Sequence, residues 1–170
     1  MSNTFTHKFY GWKSAEARRW TNPDGSVGGI VAVSAKIDES VYIAESAEVG
    51  EDCVIRARAS IGASASIGAS ASIGYRASIG DRASIGASDW FMAGGPCGSR
   101  NAMWTAVASK EHGLRWWVGC KHGITSEQLR ALVKETHGTN EHAQDYLAAI
   151  KFVEKHPGYA RWKLANEVRQ

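Results

Sequence analysis

Residues 35–93 read AKIDES VYIAES AEVGED CVIRAR ASIGAS ASIGAS ASIGYR ASIGDR ASIGAS DWFMA when they are written in groups of six. The third position of every group is a large apolar residue, and the first position is small in most groups. These two positions lie on the same side of an extended segment, whereas the residue between them points to the other side. One short strand cannot bury its apolar side alone, so successive strands must stack and share one interior.

The fourth position of six groups is glycine. We expect this glycine to let the chain bend at a corner where a side chain would clash. Each group therefore predicts one short strand followed by one corner.

The pattern resembles that of the hexapeptide-repeat superfamily. The resemblance implies a mainly β fold, a left-handed parallel β-helix with three groups per turn and about three turns, and assembly as a homotrimer. The handedness comes from the resemblance alone, because general crossover rules favour the right-handed sense. A flexible Ala/Ser/Gly linker is the alternative, and the unbroken register of Ile and Val argues against it.

The rest of the chain divides around this repeat. Residues 1–30 contain a turn signal, Asn22-Pro23-Asp24-Gly25, and are expected to form a cap over the open end of the coil. The β-helix is predicted over residues 31–96, and residues 97–170 are predicted to form a β-hairpin followed by α-helices that begin near Thr125 and Asn140. The aromatic residues of the predicted cap are Phe5, Phe9, Tyr10, Trp12 and Trp20.

The tail also resembles small uncharacterised hexapeptide-repeat proteins of phage and bacterial genomes. The matching segments are Gly98-Ser99-Arg100, Gly119-Cys120, His137-Gly138 and Asn140-Glu141-His142-Ala143. This resemblance implies a biological context rather than a chemical activity.

Composition narrows the range of partners. The 20 Lys and Arg exceed the 17 Asp and Glu by only three charges, so we expect neither DNA nor RNA to be a partner. Three cysteines neither form a disulfide framework nor have zinc-site spacing, which favours a cytoplasmic protein without metal or cofactor. No apolar run reaches the length of a membrane span. For a phage-encoded protein, the compartment would be the host cytoplasm.

Acyl transfer from acyl-CoA is the activity that the superfamily resemblance implies, with a histidine near the coil as general base. Residues 35–96 contain no histidine, so no catalytic residue is predicted on the coil. His112, His122, His137 or His142 would serve only if the tail folds back onto a coil cleft. An acyltransferase is therefore kept as the alternative function.

Arginines spaced 18 residues apart predict a basic wall. Side chains at this spacing lie one rung apart, at about 4.8 Å, so Arg58 and Arg76 stack beside Tyr75. Arg82 has the equivalent position on the next face, and Arg100 follows 18 residues later. Two stacked like charges repel each other, and an anion that bridges them would offset this repulsion. A solvated face without a ligand is the alternative. Arg56 and Asp38, also 18 residues apart, are expected to form an ordinary ion pair.

Tryptophans supply the second feature of a binding site. Five aromatic residues are more than a small hairpin module needs for its core, although subunit packing would also use the tryptophans: Tyr75, Trp90, Trp104, Trp116 and Trp117. Flat aromatic faces next to guanidinium groups suit a base and a phosphate, and so favour a nucleotide-like ligand.

The sequence thus predicts a non-catalytic homotrimeric binding protein that holds a small anionic, nucleotide-derived ligand at inter-subunit sites. With the phage resemblance, its use would be to sequester a host immune signalling nucleotide. An ice-binding or scaffold coil would need flat ranks of Thr, which the repeat lacks. The predicted ligand-binding residues are Arg58, Tyr75, Arg76, Arg82, Trp90, Arg100, Trp104 and Trp116.

Overall fold

A computed structural model describes residues 3–9 and 14–167. The chain separates into two compact units that divide between Ser88 and Asp89. The first unit contains stacked coils, and the second contains an antiparallel sheet and helices. Tyr10 and Trp12, two aromatic residues of the predicted cap, lie outside the described residues.

The first unit is a β-solenoid of about three turns, as the six-residue pattern predicts. Its parallel strands are β3 (Val27–Ala32), β4 (Lys36–Ile37), β5 (Tyr42–Ile43), β6 (Glu48–Val49), β7 (Val54–Ile55), β8 (Ser60–Ile61), β9 (Ser66–Ile67), β10 (Ser72–Ile73), β11 (Ser78–Ile79) and β12 (Ser84–Ile85). They pair in the orders β3-β6-β9-β12, β4-β7-β10 and β5-β8-β11, so each strand pairs with the one 18 residues away.

Third-position side chains fill the interior of the solenoid. Ile61 is fully buried and Ile79 is 2 % exposed, and the first-position Ala59 and Ala83 are buried with them. Ile37 is only partly buried, because its strand β4 lies at the edge of its sheet. Stacking of these apolar side chains supplies the main stabilisation of a fold whose strands are too short to be stable alone.

The coil begins and ends earlier than the repeat suggests. Val31 already belongs to it, since β3 pairs in parallel with β6 and places Val31 opposite Val49. Phe91, the last residue of the apolar series, does not lie in a coil strand. It belongs to an antiparallel sheet in the second unit, where it faces Val107. The series therefore continues in sequence for one group beyond the end of the coil.

The corners correct the expectation about glycine. Positive φ angles, from 54° to 62°, occur at the sixth position of the groups. At Gly62, the glycine is required by close packing, because a Cβ there would lie 2.8 Å from the Asp81 backbone nitrogen of the next coil. Gly74 has open space around the same position. The residues with positive φ at coil corners are Asp52, Arg58, Ser64, Ser70, Arg76 and Arg82.

An N-terminal hairpin extends the first solenoid sheet. Strands β1 (Phe5–Lys8) and β2 (Ser14–Thr21) pair antiparallel, and β2 pairs antiparallel with β3. The predicted turn is present, since the Gly25 N–H donates to the Asn22 carbonyl at 2.9 Å and Gly25 has a φ of 82°. The edge of β3 is thereby covered, which limits pairing with other chains.

Two buried side chains of this hairpin cover the edge of β5. The Asn22 amide accepts from the Ile43 N–H at 2.8 Å and donates to the Ile43 carbonyl at 3.2 Å, as a neighbouring strand would. The Trp20 indole N–H donates to the Val41 carbonyl at 3.0 Å. Trp20 is 7 % exposed, so its role is structural.

The second unit packs helices on one sheet. Strands β13 (Trp90–Cys97), β14 (Ala102–Ser109), β15 (Gly113–Val118) and β16 (Lys121–Ile124) are antiparallel in that order. The predicted hairpin is the central pair, and β13 and β16 flank it. The helices are α1 (Ser126–His137), α2 (Glu141–Glu154) and α3 (Pro157–Glu167). Thr125 and Gln128 form the predicted capping box of α1, and Asn140 caps α2.

Within the described residues, no helix is both long and apolar enough to cross a membrane.

Candidate functional site

Arg58 and Arg76 lie one above the other at one corner of the solenoid. The Arg58 N–H donates to the Ser40 hydroxyl at 2.9 Å, and the Arg76 N–H donates to the Ala57 carbonyl at 3.0 Å. These bonds fix the two backbones in adjacent coils and leave both side chains exposed. In the described part of the chain, neither guanidinium forms a salt bridge with a carboxylate.

Tyr75 completes the group that we call the Tyr75 corner, which consists of Arg58, Tyr75 and Arg76. The Tyr75 ring is 56 % exposed, and the Arg76 guanidinium carbon lies 5.1 Å from its centre. This is a cation–π contact that orients the guanidinium without neutralising its charge.

An open depression of about 530 Å³ lies on the coil wall next to Tyr75. Lys36 and Arg56 line it with two positive charges, and Asp38 lines it with one negative charge. An aromatic ring, cationic side chains and an apolar wall are the components of a small-ligand site. The lining residues are Lys36, Ile37, Asp38, Val54, Ile55, Arg56, Ala57 and Tyr75.

Asp38 does not form the ion pair with Arg56 that the spacing predicts. Its carboxylate accepts hydrogen bonds from the Ser40 hydroxyl at 2.5 Å and from the Ser40 N–H at 3.0 Å. These two hydrogen bonds lower the pKa of Asp38 below its ordinary value, and the bond from the Ser40 hydroxyl has the larger effect. The Asp38 carboxylate is therefore bound within its own turn, and it does not form a salt bridge with Arg56.

Arg82 and Arg100 lie apart from the Tyr75 corner. Arg82 occupies another corner of the coil, where its N–H donates to the Ala63 carbonyl at 2.8 Å. Arg100 is not on the coil, contrary to the prediction from the 18-residue spacing. It belongs to the turn between β13 and β14 in the second unit, because the solenoid has already ended at β12.

The three predicted tryptophans all pack within the second unit. Trp104 and Trp116 are 7 % and 1 % exposed in its core, with ring centres 5.5 Å apart, and the Trp116 indole donates to the Ser126 hydroxyl. Neither offers a ring face to a ligand, which corrects the prediction for both. Trp90 is half-buried and lies 5.3 Å from the Tyr159 ring.

His7 and Glu48 form a pair that the sequence analysis missed. His7 Nε2 lies 2.9 Å from Glu48 Oε1 on the outer face of the coil, and both side chains are about three-quarters buried. The histidines that the sequence offers as a base all lie in the tail, whereas His7 comes from β1. Alternation along β1 could have placed His7 on one face, but no sequence signal could have placed that face against Glu48.

Ser66 lies next to this pair on the same wall, opposite Glu48 in the sheet register. It is 9 % exposed, and its hydroxyl has no hydrogen-bond partner among the described residues. For metal binding, the described residues contain no cluster of three or more His, Cys, Asp or Glu side chains.

No protein-family model, curated protein or solved structure matches this chain. The candidate sites are therefore argued from their own geometry.

Proposed function

We propose that this protein binds a small anionic, nucleotide-like ligand at the Tyr75 corner. One observation carries the proposal: two exposed arginines occupy the same corner of adjacent coils without a salt bridge to any described carboxylate, and one of them lies against an exposed aromatic ring. Two unit charges about 4 Å apart repel by roughly 1 kcal/mol in water, and a phosphate between them converts the repulsion into two attractions. The Tyr75 ring would stack on the base.

The depression next to Tyr75 is open, and a second copy of the chain packed on this wall would enclose it. We therefore place the ligand between subunits of a homotrimer, as membership of the left-handed hexapeptide-repeat superfamily would imply. Binding without turnover suits the sequestration of a host signalling nucleotide by a phage protein in the host cytoplasm. Open aromatic side chains on the coil wall, such as Tyr42 at 45 % exposure, are consistent with an assembly that covers them.

Calorimetric titration with linear and cyclic nucleotides tests the ligand. Arg76→Ala should weaken nucleotide binding at least about tenfold, since one charge-assisted hydrogen bond contributes about 1.5–3 kcal/mol. Arg82→Ala is the matched control, because Arg82 has the same backbone conformation at another corner, and it should leave the affinity unchanged. Tyr75→Ala should weaken nucleotides but not pyrophosphate. Absence of heat with every nucleotide would refute the proposal.

His7 and Glu48 support acyl transfer from acyl-CoA as a second candidate function. When the carboxylate accepts the Nε2 proton, it holds the ring in the tautomer whose Nδ1 carries a lone pair, as a general base requires. The Ser66 hydroxyl, which has no hydrogen-bond partner among the described residues, is a further polar group on this wall.

Release of CoA thiol from acetyl-CoA, measured with amine and sugar acceptors, tests this candidate. Glu48→Gln and His7→Asn should both abolish release, whereas His112→Gln, at an exposed turn, should not. If the wild-type chain releases no thiol with any acceptor of the panel, acyl transfer from acetyl-CoA to these acceptors is excluded.

A further inference from the structure

The second unit contains a cavity of about 320 Å³ at one end of its sheet. The turn between β13 and β14 and the turn between β15 and β16 form one side of it. The end of α1 and the first turns of α2 form the other side. Its volume is at the small end of the range for ligand pockets.

The inner wall of the cavity is apolar. Val118 comes from β15, and Leu129 and Val133 come from the buried stripe of α1, and all three belong to the core of the unit. Leu132 and Ala102 extend this surface. A ligand that enters must therefore present an apolar body to this wall, because a polar body would lose hydrogen bonds to water without replacement.

The rim of the cavity is cationic. Arg100 lies in the turn between β13 and β14, and Lys121 is the first residue of β16; both are exposed, and neither forms a salt bridge with any described carboxylate. Asp145 is a carboxylate near this end of the unit, since it acts electrostatically on the pKa of Tyr146. Two cations without a salt bridge at the mouth of an apolar cavity favour an anionic group at the rim.

Aromatic and hydroxyl groups line the remaining side. The Tyr146 ring stacks on His137 with centres 5.7 Å apart and planes 20° apart, and it lies over Gly98, where a Cβ would collide with it. Burial is the main cause that raises the pKa of Tyr146, so its hydroxyl remains a donor at neutral pH. Ser99 and Thr136 add two further hydroxyl groups to the lining.

We propose that this cavity binds a small amphipathic anion with a flat apolar body and one phosphate or carboxylate group. The body contacts Val118, Leu129 and Val133, and the anionic group contacts Arg100 and Lys121. This site is distinct in position and in ligand from the Tyr75 corner, and it does not rest on the function proposed there.

Amide chemical shifts of the ¹⁵N-labelled full chain, titrated with phenyl phosphate, test the proposal. We expect saturable shifts confined to residues 99–102, 118–121 and 129–137 and to the start of α2. Phenol and inorganic phosphate, which carry only one of the two features, should each bind at least about tenfold more weakly. Benzoate in place of phenyl phosphate tells whether a carboxylate is accepted as well.

Two charge variants and one control complete the test. Arg100→Ala and Lys121→Ala should each weaken phenyl phosphate about tenfold, in line with the loss of one charge-assisted hydrogen bond. Lys110→Ala removes an exposed lysine from the turn at the other end of the sheet and should have no effect. Arg76→Ala should also have no effect, which separates this site from the Tyr75 corner. Equal affinity for phenol, or unchanged affinity in both charge variants, would overturn the proposal.

Discussion

At the residue scale, the fourth and sixth positions of the groups shape the coil. Gly62, at a fourth position, leaves room for the backbone of the next coil, and the sixth-position residues from Asp52 to Arg82 take the left-handed conformation. Ser and Arg accept that conformation at some cost, whereas Gly, Asn and Asp adopt it more readily. Arg58 and Arg76 therefore stand at corners where an asparagine would be less strained, and their side chains are the feature that distinguishes the Tyr75 corner.

Gly62→Ala should destabilise the solenoid by about 1–3 kcal/mol, the usual range for overpacking. The new Cβ would lie 2.8 Å from the Asp81 nitrogen and 2.9 Å from the Gly80 carbonyl carbon, so backbone must move. Urea unfolding measures the change.

Gly74→Ala is the matched control, because it has the same position in its group and nothing within 4 Å of the new Cβ. We expect it to be neutral or slightly stabilising. Equal losses in the two variants would contradict close packing at Gly62 as the cause of its loss.

At the element scale, side chains connect units of secondary structure that have few backbone bonds to each other. Asn22 replaces a missing strand along β5, and Arg130 of α1 forms a salt bridge with Glu154 of α2. Burial alone would raise the pKa of Glu154, but hydrogen bonds from Arg130 and Ser126 and the charge of Arg130 outweigh it, so the pKa lies below its ordinary value.

Glu154→Gln should therefore reduce the free energy of unfolding in a pH-dependent way. A carboxyl whose folded pKa is lowered stabilises the fold above its unfolded pKa, ordinarily 4.5, and this contribution is lost as the pH falls through the folded pKa. Both side chains are about a third or more exposed, so the loss at pH 7 should be at most about 1 kcal/mol.

Thermal unfolding of wild type and Glu154→Gln between pH 7 and pH 3 measures this difference. The two curves should converge at the acidic end. Glu135→Gln, an exposed glutamate of α1 without a salt bridge in the described residues, should show no such convergence. A pH-independent difference for Glu154→Gln would exclude the ion pair as its cause.

At the scale of the whole molecule, the coil presents a side wall with exposed aromatic and cationic groups and an incompletely enclosed depression. Ligand sites normally bury most of the ligand surface, which a single open wall does not do. Assembly of several copies around this wall would supply the missing enclosure.

Sedimentation equilibrium should therefore give a particle mass three times that of the chain. Tyr75→Glu, which places a carboxylate on the wall, should dissociate the assembly if that wall is the interface. Lys110→Ala, in an exposed turn of the second unit, should keep the wild-type mass. A monomeric wild-type protein at micromolar concentration would contradict the homotrimer.

The sequence alone was sufficient to predict the solenoid, because every group of six residues predicts the same strand and corner. Ile61 and Ile79 are buried as their positions require, and the capping box of Thr125 and the turn at Asn22 are confirmed from local residue preferences. Local rules of this kind need only neighbours in sequence. The handedness and the trimer, which the resemblance implies, remain predictions.

Only the tertiary structure decided which of these side chains meet. Arg100 lines a cavity in the second unit rather than the coil wall, and Trp104 and Trp116 are buried in a core. His7 contacts Glu48, which is 41 residues away in the sequence. The physical reason is that the residues next to an arginine or a tryptophan in the sequence do not determine which surface its side chain will face. That depends on where the coil stops and on which sheet face the helices cover, and both are set by packing between distant segments.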